Sequence, residues 1–281
     1  MPKPVWAKKR LYACEVAILG DCHQYEPMRN ERLGSSMPPF DTVRAREKSA
    51  ATEMNPCGAC PVRSLTVCAA LEPEELRRLA DILQNVRIDA GHTLFAEGDA
   101  ADALYNVTSG TVKLYKLLPD GRRQITGFLV TGDFLGLAVN DSYAYTAETV
   151  TSASLCRFPR KKIDALLEEF PKMQRRLFSM ASNELAAAQD QMLLLGRKTA
   201  KEKICSFLLM LSQRAARRGH KENPVFVPMS RADIADYLGL TTETVSRTFT
   251  QLKTAGVISL QEGNKVLIAD IDAMYDLAEG A

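Results

Sequence analysis

Three cysteines stand close together on a segment punctuated by glycine and proline: Cys57-Gly-Ala-Cys60, then Cys68 after seven intervening residues. Thiolates are soft donors, and a loop of this length can bring three of them to one point, where they suit an iron-sulfur cluster or zinc. Either centre usually takes a fourth ligand, and Cys156 is the candidate. A lone C-x2-C can equally be a redox pair. From spacing alone, a cluster, a zinc site and a thiol switch all stay open. Cys205, beside Ile204 and Phe207 on the apolar face of an expected helix, reads as a buried thiol. Cys14 and Cys22 read as bystanders, although Cys22-His23 has metal-binding chemistry.

A second constellation lies near the C-terminus. Glu243, Ser246 and Arg247 are spaced i, i+3, i+4, so on a helix they project from one face near its N-terminal end, the end that enters a major groove. Arginine can donate two hydrogen bonds to guanine O6 and N7, a carboxylate can accept from cytosine N4, and a hydroxyl with the Thr242 methyl beside it suits thymine. The competing reading is a solvated face with an internal ion pair, worth a few tenths of a kcal/mol. The segment before it favours DNA, because Ser230-Arg-Ala-Asp233 opens a helix with an N-cap serine and an acidic third residue. Ile234, Ala235 and Leu238 then supply its apolar face, Gly239 turns the chain, and Thr241 or Thr242 caps the next helix, which runs to about Thr254. Val257–Leu260 and Val266–Ile268 flank Glu262-Gly-Asn-Lys265 as a hairpin, the wing of a winged helix-turn-helix.

These groups need elements to carry them. Residues 1–55 hold scattered charges and prolines without an apolar period and read as an irregular extension. Residues 56–159 join the cysteine loop to a short helix from Pro73 and then to short runs (Thr93–Phe95, Ala103–Val107, Thr111–Leu117, Gln124–Phe128, Ala147–Phe158) separated by turn signals. That is the pattern of an antiparallel jelly-roll barrel. Residues 160–196 read as a helical linker and a long helix from about Pro171 to about Leu195. On it Phe178, Ala181, Leu185, Ala188, Met192 and Leu195 recur at alternating three- and four-residue steps, a heptad seam. One helix cannot bury its own seam, so a homodimer is the expected partner, with packing on the chain's own barrel as the alternative. Residues 197–281 begin with a helix over about Thr199–Arg214, continue through the basic cluster Arg214, Arg217 and Arg218, expected on DNA phosphates, and end in the winged helix-turn-helix. The fold class is α+β: sensor barrel, dimerisation helix, DNA-binding domain.

Charge and composition exclude other classes. Thirty-six Lys+Arg against 34 Asp+Glu leave +2, too little for indiscriminate coating of polyanions, so any nucleic-acid contact is local. No apolar run approaches the roughly 18 residues of a membrane span. Lys8-Lys-Arg10 ahead of an apolar stretch imitates a signal peptide, but Glu15 interrupts that stretch, and it follows Cys14 where a lipoprotein signal would precede the cysteine. A reducing cytoplasm is expected, in agreement with seven cysteines, an odd number. An iron-sulfur or zinc enzyme with an accessory DNA-binding domain finds no support. His-Glu-x-x-His, a nucleophile elbow and a phosphate-binding loop are all missing, and His23, His92 and His220 are scattered.

The assembled order resembles the CRP/FNR superfamily of bacterial transcription regulators, and within it the FNR branch of oxygen-responsive regulators, over residues 55 to about 275. The resemblance rests on the cysteine spacing, Gln124-Ile-Thr-Gly-Phe128, Ala153-Ser-Leu-Cys156, Met192-Leu-Leu-Leu195 and Gly239-Leu-Thr-Thr-Glu-Thr-Val-Ser-Arg247. It implies an oxygen-labile 4Fe-4S cluster on Cys57, Cys60, Cys68 and Cys156, a homodimer, RNA polymerase as a partner, and a double-stranded palindrome with half-sites like TTGAT read by the Glu-x-x-Ser-Arg face. CRP-like barrels hold a cyclic phosphate with a Gly-Glu pair and a later Arg-Ser pair. Here Gly136 is followed by Leu137, and Tyr145-Thr146 replace the second pair, so no cyclic nucleotide is expected. Some relatives carry an aspartate on the seam whose repulsion keeps the cluster-free form apart; this chain has Ala188, leaving Glu184 and Asp190 to flank the seam. The turn Pro119-Asp-Gly-Arg-Arg123 resembles the place where relatives touch RNA polymerase, although its two arginines differ.

Overall fold

The structure, a computed structural model, describes residues 57–138 and 141–280, so the expected irregular extension over residues 1–55 lies outside the described residues. The cysteine segment winds through two short 3-10 turns, Arg63–Leu65 and Val67–Ala70. Helix α1 (Pro73–Ile82) comes next, started by Pro73 and a reciprocal Glu72–Glu75 capping box, and it buries Leu76 and Leu79.

The barrel strands are β1 (Gln84–Ile88), β2 (Thr93–Phe95), β3 (Ala103–Ser109), β4 (Thr111–Leu117), β5 (Arg123–Val130), β6 (Phe134–Leu135), β7 (Thr146–Thr149) and β8 (Ala153–Pro159). They form two four-stranded antiparallel sheets, ordered β1-β8-β3-β6 and β2-β7-β4-β5. Two-residue alternation divides the labour of the first sheet. Ala103, Tyr105, Val107 and Leu155 pack inward with Phe95 and Tyr143, while Leu104, Phe134, Cys156 and Phe158 pack outward with Val67, Leu71 and Cys57. The turn between β3 and β4 requires Gly110: its φ is +88°, and an added Cβ would lie 2.4 Å from the Ser152 carbonyl oxygen.

Two sequence expectations change. The run expected over Ala147–Phe158 is two strands, β7 and β8, in different sheets, because the chain crosses between them at residues 150–152. Strand β1 is an addition to the expected set, since it is a largely exposed edge with polar residues and shows no clean alternation.

Helix α2 (Arg160–Glu169) leads into α3 (Pro171–Arg197), whose 27 residues span about 40 Å. The last part comprises α4 (Ala200–Arg217), β9 (Val225–Phe226), α5 (Arg231–Leu238), α6 (Thr242–Thr254), the wing strands β10 (Ile258–Gln261) and β11 (Lys265–Ile268), and α7 (Ile271–Glu279). Helix α7 is a further addition. It is capped by Asp270 and buries Met274 and Ala278. The core of this part does not stop at its own elements. Ile125 and Phe128 of β5 belong to it, with Phe128 set 5.1 Å from the Tyr237 ring and 6.2 Å from Phe207.

Candidate metal centre and DNA-binding face

The cysteine loop is held by hydrogen bonds within itself. Thr66 Oγ1 accepts the Cys68 N–H, Arg63 N–H donates to the Cys60 carbonyl, and the Arg63 guanidinium donates to the Leu71 carbonyl at 2.7 Å. So wound, the loop covers the outward face of β8, where register places Cys156 opposite Asn106 of β3. Cys57 is buried and Cys60, Cys68 and Cys156 half-buried. Burial, with the other cysteines adding to it, pushes the Cys57 thiol up to about 11 and Cys156 up to about 12. Burial also raises Cys68, with Cys60 adding to the shift against a hydrogen bond from Thr66. Burial therefore disfavours the thiolate forms of Cys57, Cys68 and Cys156, and a cation beside them would reverse that preference. Among the described residues, no three metal-ligating side chains are closed up into an ion-holding group.

Asn106, 2% exposed, adds a polar atom to this setting. Its Nδ2 donates to Cys68 Sγ at 3.8 Å, and its Oδ1 has no partner. An unpaired buried carbonyl costs about 1–3 kcal/mol. Three soft donors in shared apolar packing, Cys57, Cys68 and Cys156, with Cys60 on the same loop and a buried amide N–H on the Cys68 sulfur, are chemistry that fits an iron-sulfur cluster. Sequence reading missed Asn106. The available signal was a single amide inside the apolar run Ala103–Val107.

Helix α3 connects the cysteine loop to the DNA-binding part. Its N-terminal half, through Met173, Leu177 and Met180, packs in the cluster that contains Cys57, Cys68 and Cys156, and Arg176 donates to the Ser64 carbonyl. Its C-terminal half reaches the helix-turn-helix, where Gln191 Nε2 donates to the Tyr237 carbonyl at 2.9 Å and Leu195 lies against Gly239. Of the seam residues, Phe178, Leu185 and Met192 are 75%, 63% and 70% exposed, one every seven residues. Ala188 is exposed, and Ala181 and Leu195 are half-buried. Leu195 thus has a contact within its own chain that the heptad reading does not anticipate.

The barrel also grips the DNA-binding part directly. Lys113 of β4, buried, pairs with Glu148 and with Asp233 of α5, each at 2.9 Å. Arg123 pairs with Asp233 and Asp236, and Gln124 donates to the Asp236 carbonyl at 2.7 Å. Asp133 receives both Arg214 and Arg218 of the α4 end, and these donate further to the Phe128 and Thr131 carbonyls. Two expectations are corrected here. Arg214 and Arg218 are committed to the barrel, which leaves only Arg217 of that cluster exposed, and Arg123 of the β4–β5 turn faces α5. Burial raises the pKa of Asp233, but hydrogen bonds from Ser230 and Lys113 and the Lys113 charge outweigh it and hold the carboxyl below its ordinary value. A depressed carboxylate stabilises the fold above its unfolded pKa of about 3.9, and that contribution is lost as pH falls through the lower folded value.

Helix α5 begins with the Ser230–Asp233 capping box, and Gly239 ends it in the left-handed region at φ +61°. Thr241 caps α6 by accepting the Thr244 N–H at 3.1 Å. The two helices are pinned by Arg231, whose guanidinium lies 3.3 Å from the centre of the Phe249 ring. Glu243, Ser246 and Arg247 share the exposed face near the start of α6, with Thr242 beside them. Arg247 pairs with Glu243 at 2.6 Å, and Ser246 Oγ donates to the Thr242 carbonyl. So the ion pair of the competing reading is present, yet both partners are mostly exposed, and such a pair opens at a cost of a few tenths of a kcal/mol.

Comparison with known proteins places these parts. Residues 85–170 match the cyclic nucleotide-binding domain family and residues 202–277 the Crp-like helix-turn-helix domain family. The nitrogen fixation regulation protein FixK of Bradyrhizobium diazoefficiens is 42% identical over 212 residues, covering 75% of this chain and 90% of that protein. The transcriptional activator protein FnrL of Cereibacter sphaeroides is 38% identical over 231 residues, covering 81% of this chain and 93% of FnrL. Among solved structures, FixK2 from Bradyrhizobium japonicum aligns with a TM-score of 0.65 at 35% identity, over 70% of this chain and 97% of that one.

Proposed function

The chain belongs to the CRP/FNR family of DNA-binding transcription regulators, which are not enzymes, and from that premise we propose that it is a cytoplasmic homodimer that senses oxygen through a 4Fe-4S cluster and reads a TTGAT-like palindrome. Cys57, Cys60, Cys68 and Cys156 would hold the cluster. The observation that carries this reading is the shared packing of Cys57, Cys68 and Cys156 with Met173, Leu177 and Met180, the N-terminal half of the helix that bears the exposed seam. When bound, a 4Fe-4S cluster supplies oxygen-labile iron-thiolate bonding. Everything else is done by the protein. The loop clamps onto the Cys156 strand, Met173 and Leu177 carry the loop's position along α3, and Phe178, Leu185 and Met192 pair with a second copy. Arg247, Glu243, Ser246 and Thr242 then face two half-sites at once.

No cyclic nucleotide enters this reading. The Gly136 N–H, which a phosphate would need, is taken by the Tyr145 hydroxyl at 3.2 Å, and the Phe95 and Tyr143 rings stack inside the barrel at 3.7 Å. RNA polymerase is the proposed protein partner, and exposed Leu117, Leu118 and Arg122 are what the β4–β5 hairpin tip offers to one.

Anaerobic purification tests the sensor. A brown protein that bleaches in air is expected, with iron and sulfide lost in Cys156→Ser and Cys60→Ser but retained in Cys205→Ser, whose buried sulfur lies in the DNA-binding core. Normal iron in Cys156→Ser overturns the ligand set, and a colourless protein with stoichiometric zinc replaces the cluster by a zinc sensor.

A further inference from the structure

We propose that Asn106 is a positioning residue for the cysteine-held centre, donating its side-chain amide to the Cys68 sulfur and thereby slowing loss of the centre; this rests on the cluster reading above. Asparagine is depleted in strands, and a buried amide with an unpaired carbonyl is a liability that a leucine of similar size would avoid. Yet Asn106 stands in the middle of β3, in the sheet interior between β8 and β6. Its cross-strand neighbours are Cys156 on one side and Phe134 on the other. Opposite residues of an antiparallel pair share a face, so the side chain points outward with Cys156 into the packing beneath the cysteine loop. There its Nδ2 meets Cys68 Sγ. One neutral side chain thus adjoins the barrel's cysteine by register and the loop's cysteine by hydrogen bond.

An N–H bond to sulfur strengthens when the sulfur carries negative charge, as a metal-bound thiolate does. Hydrogen bonds to the sulfurs, together with burial, are also what tune an iron-sulfur centre. A neutral donor suits the position, because it adds no charge beside Val67, Leu71, Leu104 and Phe158, which pack in the same cluster as the cysteines. The role differs from that of a ligand: the iron-binding atoms remain the four sulfurs, and Asn106 acts through one of them.

The test uses the full chain, purified and handled without oxygen, as wild type, Asn106→Leu and Asn106→Thr. Leucine keeps the volume and removes the donor; threonine keeps a donor on a residue that strands favour. All three are expected to assemble iron and sulfide. On exposure to air the leucine variant is expected to bleach about tenfold faster than wild type, with threonine between them. The resonance Raman spectrum of the leucine variant should show a shifted iron-cysteinyl sulfur stretch. The thermal midpoint of the cluster-free protein should be unchanged or higher in Asn106→Leu, because the unpaired carbonyl is gone; a merely structural role would lower it. A leucine variant that bleaches at the wild-type rate overturns the inference while leaving the cluster intact. So does a thermal midpoint of the cluster-free protein that falls as bleaching quickens. A wild type without iron and sulfide overturns the cluster reading itself, and the inference with it.

Discussion

Two surfaces of this molecule handle the same problem in opposite ways. The face of β4 and β5 that meets α4 and α5 is complete within one chain. Phe128, Phe207 and Tyr237 meet at its centre, and Lys113, Arg123, Asp133, Asp233 and Asp236 pair around them. The seam of α3 is the reverse, an apolar stripe in solvent at Phe178, Leu185 and Met192 with nothing among the described residues of its own chain to cover it. A finished contact fixes where the DNA-binding part sits, whereas an unfinished one responds to whatever changes the helix beneath it. In the proposed sensor, signal response would therefore belong on α3 and rigidity to the β5 contact.

The comparison breaks most visibly at Asp133. Asp133→Ala leaves Arg214 and Arg218 without their carboxylate in a largely dry contact, and removing one partner of such a group costs about 3–5 kcal/mol. Chemical denaturation should show a fall near the low end of that range, since both arginines keep bonds to backbone carbonyls. A loss below about 1 kcal/mol, the level of a surface pair, would mean that the charges contribute nothing to docking.

The exposed face of α6 comes next. Arg247→Ala should cost about 1–3 kcal/mol per half-site and relax discrimination at one guanine. Arg217→Ala should instead weaken all sequences alike and reduce the salt slope by about one, with no matching effect expected from the barrel-bound Arg214 and Arg218 beyond their effect on folding. Binding to duplexes with every base of one half-site substituted distinguishes the two patterns. A uniform loss in Arg247→Ala would make it a backbone contact.

The smallest effect sharpens the seam. Ala188→Glu should weaken dimerisation more than Gln189→Glu, by about tenfold or 1.4 kcal/mol, because only the first sets two carboxylates opposite each other across the stripe. Sedimentation of both variants under anaerobic conditions measures the difference. Equal dimer constants would move the seam to another face of α3.

The two surfaces also differ in how far they can be read from sequence. Phe178, Leu185 and Met192 announce themselves by a local period, as do the Ser230 cap, Gly239 and the recognition helix. Cys57, Cys68 and Cys156, which pack in one cluster, can be brought together from the sequence because two are near neighbours and the third ends an apolar run. The β5 contact is invisible to such reading. Lys113 and Asp233 are 120 positions apart, Arg123 and Asp236 are 113 apart, and each residue taken alone looks like an ordinary surface charge. Asp133 reads as a turn residue and Arg214 as a phosphate contact, since pairing across elements leaves no periodic trace. Strand β1 and helix α7 escape for a related reason: their places are set by the sheet edge and the core they complete.

The grip of Arg123 and Gln124 upon α5, and of Asp133 upon the end of α4, also bears on the length of an operator. Half-sites of helix-turn-helix dimers lie about 34–36 Å apart, one turn of 10–10.5 base pairs. One base pair added at the centre of a palindrome moves a half-site by about 3.4 Å and turns it by about 35°. A reader hung on a slack linker could follow that rotation. Here each recognition helix would inherit its position from a barrel it is bolted to, so in the proposed dimer the spacer between half-sites becomes a single permitted length, and promoters would be sorted by their spacing as strictly as by their bases.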